Sequence, residues 1–282
     1  MQVDIKHLQQ WVGRSEERSD LVTAAPIAGL AATLDRDEPY PQAGDEIPPL
    51  AHWLYFLPQY RQAEIGSDGH PHRGGFLPPV PLPRRMWAGG RFEWHRPLRI
   101  GEEVLRTSRI ASVEGKQGRS GTLMFVQLRH EIKAAGEIAL LEEQDLVYRD
   151  DPRPGDPAPA PKPAPGDEAW AHEIKADEVM LFRYSALTFN GHRIHYDYRY
   201  VTEVEGYPGL VVHGPLIATL LLDCLRRNMP TAVVKAFSFR AVRPLFANAA
   251  FTVCGRPDGK TVALWARDGA GWLAMDAKAT LA

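Results

Sequence analysis

The sequence predicts an α+β protein of two tandem units, each an antiparallel sheet wrapped around a central apolar helix. Three observations point there. Residues 151–168 read DPRPGDPAPAPKPAPGDE, with seven prolines and no large apolar side chain, and they part residues 1–150 from residues 169–282. Phe92-Glu93-Trp94-His95-Arg96-Pro97-Leu98 is echoed by Phe239-Arg240-Ala241-Val242-Arg243-Pro244-Leu245, with Phe, Arg, Pro and Leu at a constant offset, as expected of an internal repeat. Each portion also carries one apolar helix ahead of β-forming runs separated by Gly-containing turns.

In the first portion the helix is expected over roughly Leu21 to Leu34, capped by Ser19 or Asp20. Residues 36–83 are rich in Pro, Gly and aromatics and read as long loops that shape a pocket or interface. Strands follow over Glu103–Ile110 and Gly121–Ile132. The proline-rich segment is expected to be a solvated, polyproline-like spacer. In the second portion the helix covers Leu216 to Leu225, with Pro215 suited to its first turn. The runs Ala250–Cys254, Lys260–Trp265 and Trp272–Ala277 then read as strands.

Composition excludes several function classes. Of 282 residues, 44% are apolar and 24% charged, with a formal net charge of -2, so nothing favours nucleic acid or an anionic membrane as partner. Arg84-Arg85 and Arg226-Arg227 are local basic pairs that suit either solvated surface or an anion. Two cysteines, Cys224 and Cys254, without a CxxC pattern argue against a disulfide framework and a Cys-based zinc site. No run is apolar and long enough to span a bilayer, and residues 1–7 have neither a basic nor an apolar leader region. A reducing cytoplasm is the simplest location. His192/His195 and His70/His72 lack partners in a known ligand spacing, so no metal is assigned.

The chemistry is concentrated between Tyr184 and Leu216. Tyr184-Ser185-Ala186-Leu187-Thr188-Phe189-Asn190-Gly191-His192-Arg193-Ile194-His195-Tyr196-Asp197 gathers an amide, two imidazoles, phenols and a carboxylate. His195 can take a proton from water near neutral pH and return it. Asn190 can orient a water but not act as a base, and beside Gly191 it also suits a turn. Asp197 can fix an imidazole tautomer or cap the next helix, and His192 is either a polar wall or a loop residue. In Gly206-Tyr207-Pro208-Gly209-Leu210-Val211-Val212-His213-Gly214-Pro215-Leu216, a turn runs straight into a helix. There the Gly214 N–H has no intrahelical acceptor and no Cβ beside it, so it can hold a developing oxyanion.

The spellings FNGHRIHYD and EGYPGLVVHGPL resemble the hydratase-2 motif of MaoC-like acyl dehydratases, which have the hot-dog fold. They are most similar to the double-hot-dog, hydroxyacyl-thioester dehydratase type 2 branch that includes mesaconyl-C4-CoA and itaconyl-CoA hydratases. The likeness is most specific over residues 181–222. It implies two hot-dog domains in tandem, a substrate-shaping one over 1–150 and a catalytic one over 169–282. It implies reversible hydration of an α,β-unsaturated acyl-CoA or acyl-carrier thioester, short and branched or dicarboxylic, with no dissociable cofactor. By position, the family's catalytic His falls on His195, its oxyanion N–H on Gly214, and its Asn-Pro pair on His192-Arg193. The family's Asp falls on Asn190, a departure that leaves most of the proton transfer to His195 or gives a second role to Tyr184, His192 or Asp197. Tyr184, His192, Asp197 and His213 stand as supporting groups, and Arg84, Arg85, Arg240 or Arg243 as contacts for CoA phosphates or a substrate carboxylate. An acyl-CoA thioesterase and an inactive acyl-CoA-binding subunit are the alternatives. The two units can satisfy hot-dog pairing within one chain, and a homodimer is also compatible.

Overall fold

Ten strands of the computed structural model form one antiparallel sheet, in the order β1-β3-β4-β5-β2-β7-β10-β9-β8-β6. The structure describes residues 3–118, 121–151 and 160–282. The first half supplies β1 (Ser15–Leu21), β2 (Arg84–Trp94), β3 (Glu103–Gly118), β4 (Gly121–Ala134) and β5 (Glu137–Arg149). The second supplies β6 (Trp170–Ile174), β7 (Val234–Ala241), β8 (Phe251–Asp258), β9 (Thr261–Asp268) and β10 (Leu273–Leu281). Counted within its own half, each set runs first-third-fourth-fifth-second, and the halves meet where β2 pairs β7. Both halves are hot-dog units, and the chain is a double hot dog.

The repeated sequence has a repeated geometry. After β2, the His95 and Arg96 N–H groups both donate to the Ala139 carbonyl (2.9 and 3.3 Å). After β7, those of Val242 and Arg243 both donate to the Ala274 carbonyl (2.8 and 3.1 Å). Each Arg-Pro-Leu then offers its Leu carbonyl to an incoming loop: Ile47 N–H to Leu98 (2.9 Å) and Val212 N–H to Leu245 (2.8 Å). The strands end at Trp94 and Ala241, and the proline three residues on has no N–H with which to resume the ladder in either half.

The helices, which begin with the short α1 (Ile5–Leu8) and include α4 (Tyr198–Glu203), correspond differently from the sequence expectation. α2 (Ala24–Thr33) follows β1 just as α3 (Glu178–Leu187) follows β6, and the two pack against each other. The counterpart of α5 (Gly214–Asn228) in the first half is the 3-10 turn Ala51–Leu54, which likewise follows the loop bonded to the Arg-Pro-Leu segment. Leu50, Ala51, Leu54, Tyr55 and Phe56 are buried in the main core, so this part of residues 36–83 is core rather than pocket loop. Ser19 and Asp20 lie in β1, and Asp20 accepts from the N–H groups of Leu21 and Phe56 instead of capping a helix. β1 and β6 escape the sequence reading because they are edge strands with polar residues on most faces.

α5 is preset by Pro215 at its start and cannot extend through Pro230. Leu216 to Leu225 are all buried; each Leu or Ile there contributes about 1.5–3 kcal/mol through burial. Buried Asp223 of this helix pairs with Arg36 of the first half (3.1 Å) and with Arg227 (2.7 Å). Arg226 bonds Glu38 (3.1 Å), so this basic pair ties the halves together rather than presenting a free cation site.

Residues 152–159 of the spacer lie outside the described residues. The remainder is not a free spacer: Ala164 N–H donates to Gly271 O (3.0 Å), Lys162 O accepts from Leu273 N–H (2.8 Å), and Ala164 packs on the Cys254–Trp265–Leu273 cluster. An extended proline-rich chain has unpaired carbonyls that the β9–β10 turn can satisfy.

Candidate active site

α3 ends at Leu187, and Phe189 then takes a left-handed conformation (φ 50°) that turns the chain back. The Asn190 N–H donates to Ser185 O (2.8 Å), and the Asn190 Oδ1 accepts the N–H of His192 (3.0 Å). That closes an Asx turn, leading into the 3-10 turn Arg193–His195 and then α4 (Tyr198–Glu203). Asp197 caps α4 by accepting the Tyr200 N–H (3.0 Å) and pairs with Arg193 (2.7 Å). Its carboxylate is therefore a capping group here.

The partner that orients His195 is a backbone carbonyl. His195 Nδ1 lies 2.7 Å from Val211 O; a carbonyl only accepts, so Nδ1 carries the proton and Nε2 keeps its lone pair. The ring is buried and stacks on His213, with centroids 3.6 Å apart. Burial lowers the His195 pKa to about 4, with nearby His70 adding to the shift and the Val211 bond opposing it. It is thus a neutral, base-ready imidazole at physiological pH.

His213 immediately precedes α5, and its Nε2 lies 2.8 Å from Ser185 Oγ. Burial, then the neighbouring imidazoles, holds its pKa well below the usual value. Tyr184 packs edge-on against His213 (5.1 Å), and burial pushes its phenol pKa up, so it stays protonated. Next to His213, Gly214 begins α5 with open space where a Cβ would stand. Pro215 lacks an N–H, which leaves the Gly214 amide to head the helix.

The first half reaches into this cluster. Arg193 N–H donates to Asp68 O (2.9 Å), and Arg193 Nη1 to Ser67 O (2.9 Å), 126 residues apart in the chain. The docked loop presents His70, whose Nδ1 is 3.0 Å from Asp68 Oδ2 and whose ring centroid is 4.1 Å from that of His192. His192 in turn lies 5.5 Å from His195. Burial lowers the His192 pKa to about 2, helped by His70 and His195. Burial and Arg85 lower that of His70, while Asp68 works the other way. Burial acts to raise the Asp68 carboxyl, yet its hydrogen bonds from His70 hold it well below the usual range. Donor atoms of Asp68, His70 and His192 all fall within 4.8 Å of one another.

The sequence missed Asp68, Ser185 and the acid–base potential of His70; the only signal was the Asp68-Gly69-His70 turn spelling. Gly69 is required there. Its φ is +90°, and a Cβ would stand 1.8 Å from Gly191 O. Gly69→Ala is therefore expected to push the loop off the imidazoles and lower kcat by about 10–100-fold. Turnover measured beside a melting curve will separate this from unfolding.

Of the four arginines singled out, Arg85 is the one whose charge acts on His70 and His192, lowering both, and no carboxylate pairs with it among the described residues. Arg84 is held by Asp151 (2.7 Å) and the Glu205 carbonyl (2.8 Å). Arg240 of β7 leans toward Asp276 of β10 (3.9 Å), and Arg243 toward Asp268 of β9 (3.2 Å). Among the described residues no helix is long and apolar enough to cross a membrane.

Comparison with known proteins fits this arrangement. The family model for hydroxyacyl-thioester dehydratase type 2 matches residues 50–247. The mesaconyl-C(4)-CoA hydratase of Chloroflexus aurantiacus is 46% identical over 274 residues, covering 96% of each chain. Among solved structures, a MaoC-like dehydratase from Phytophthora capsici superposes with a TM-score of 0.72 at 13% identity, over 99% of this chain and 98% of that one. A Mycobacterium tuberculosis protein described as a double hot-dog fold superposes at 0.60 and 11% identity, over 96% of both chains.

Proposed function

The chain belongs to the hydroxyacyl-thioester dehydratase type 2 family and is a hydro-lyase, and from that premise we propose that it hydrates a short, branched, dicarboxylic enoyl-CoA. The reaction is the reversible addition of water to an α,β-unsaturated acyl-CoA, giving the β-hydroxyacyl-CoA. The observation that carries the finer reading is Arg85. A guanidinium beside the histidine cluster without a carboxylate of its own suits the free carboxylate of a mesaconyl-type substrate.

In this reading His195 Nε2 takes a proton from water as the oxygen adds to the β-carbon. The enolate oxygen sits at the Gly214 N–H, where one good donor contributes about 3 kcal/mol. Asn190, its oxygen used in the turn, holds the water by donating from its amide nitrogen. Ser185 and Tyr184 keep His213 in place behind His195. No dissociable cofactor enters these steps.

Exposed Val179, Phe182, Phe189, Tyr196 and Tyr198 crowd the surface around α3 and α4, which supports a homodimer. Buried, free Cys224 and Cys254 suit a reducing cytoplasm.

The test is a panel of mesaconyl-C4-, itaconyl-, crotonyl- and butyryl-CoA, followed by loss of enoyl absorbance and by free-thiol release. Mesaconyl-C4-CoA should be hydrated fastest, and Arg85→Ala should raise KM for it far more than for crotonyl-CoA. Thiol release from butyryl-CoA without hydration of any enoyl substrate would make the protein a thioesterase and sink the reading.

A further inference from the structure

We propose that the Asp68–His70 pair of the first half is the second proton-transfer group of the site, protonating the α-carbon that His195 leaves as an enolate. This rests on the hydration reading above. Adding water across a double bond moves one proton to a different atom from the one that receives hydroxide. The Asn190 amide can hold the water but cannot exchange its proton, and Asp197 is spent on α4 and Arg193. Tyr184 is buried behind His213. Among the described residues, the titratable groups left beside His195 are His213, His192 and His70 with Asp68.

The pair has the geometry of an oriented base. Asp68 Oδ2 accepts from His70 Nδ1 (3.0 Å), which leaves Nε2 to exchange a proton. The loop is fixed on both sides. Gly66 N–H donates to His70 O (2.7 Å), His70 N–H to Asp68 Oδ1 (3.0 Å), and Arg193 closes it from the second half. His192 bridges the space between His70 and His195. The carboxylate makes His70 the imidazole on which a proton is best stabilised, because its cation would sit against Asp68.

The step balances with every imidazole neutral at the start. Water's O–H bond breaks, its proton goes to His195 Nε2, its oxygen bonds the β-carbon, and the π pair moves into the enolate. The proton passes by way of His192 to His70. His70 Nε2–H then protonates the α-carbon, the enolate pair becomes the new C–H bond, and all three rings are neutral again. In dehydration His70 is the base that removes the α-proton.

The experiment uses the full chain and the best substrate of the panel. His70→Gln should lower kcat by ~10²–10⁴-fold with KM within about 3-fold and an unchanged melting curve. The solvent deuterium isotope effect on kcat should rise, because α-protonation becomes the slow step. Asp68→Asn, which keeps the shape of the loop, should lose less and show the same isotope shift. Three results would overturn the proposal: kcat of His70→Gln within 3-fold of wild type; a loss with no change in isotope effect; or wild-type activity abolished by a chelator and restored by Zn²⁺, which would make these groups a metal site. A wild type that hydrates no enoyl-CoA overturns instead the reading on which it rests.

Discussion

Replacing His195 by alanine is expected to lower kcat for enoyl-CoA hydration by ~10³-fold or more, with KM little changed. The ring is the one whose lone pair is set by a backbone carbonyl, Val211 O at 2.7 Å, and it lies one imidazole away from the head of α5. The buried ring also has a pH signature. Its pKa is depressed from 6.5 to about 4 by burial, so the basic form is present throughout the neutral range. Hydration should therefore be insensitive to this group above that value and fall as pH drops through about 4. The same depression makes the neutral ring stabilising above 6.5, a contribution lost as pH falls from there toward about 4. A kcat/KM profile with an acid limb near 6.5 would show that another group limits the reaction.

Glu142→Ala is expected to be the most damaging change to stability, at about 3–5 kcal/mol. Glu142 is 2% exposed on β5 and accepts from His52 Nε2 (3.0 Å), Trp53 Nε1 (3.0 Å) and Gln144 Nε2 (2.7 Å). Alanine leaves three donors buried without an acceptor and opens a cavity. Trp53 also packs on Trp87 and Phe92 of β2, the strand that joins the two halves, so the loss reaches the seam. Glu142→Gln keeps an acceptor and should cost less, about 1–3 kcal/mol. Burial opposes ionisation here, but His52 and the other donors hold the carboxyl well below its ordinary 4.5. The stabilisation is therefore complete above 4.5 and is lost as pH falls below it toward the depressed folded value. Urea unfolding of both variants at neutral and acid pH checks the magnitude and the sign. Equal stability of Glu142→Ala and wild type would show that the donors find water.

Much of the candidate site was legible because it is local in the chain. His195, Val211, His213 and Gly214 belong to one stretch, and turn chemistry followed by an apolar helix marks where a backbone amide is left free. The repeated Arg-Pro-Leu was legible for a similar reason: the same local spelling follows β2 and β7 and makes the same backbone bonds after each. What stayed hidden were pairings between distant segments. The polar edge strands β1 and β6 carry no apolar alternation. The 3-10 turn at Ala51–Leu54 takes the place of a helix without any helical period to announce it.

By itself, then, the sequence determined the duplication, the family motif and the histidines beside the helix start, since periodicity and turn chemistry act over a few residues. The tertiary structure alone decided that Val211 rather than Asp197 orients His195. It also decided that Asp68, His70 and Arg85 of the first half complete the cluster. The reason is physical: those contacts are set by how the 66–72 loop docks, with Gly69 against Gly191, and no local pattern encodes which distant loop a backbone can approach.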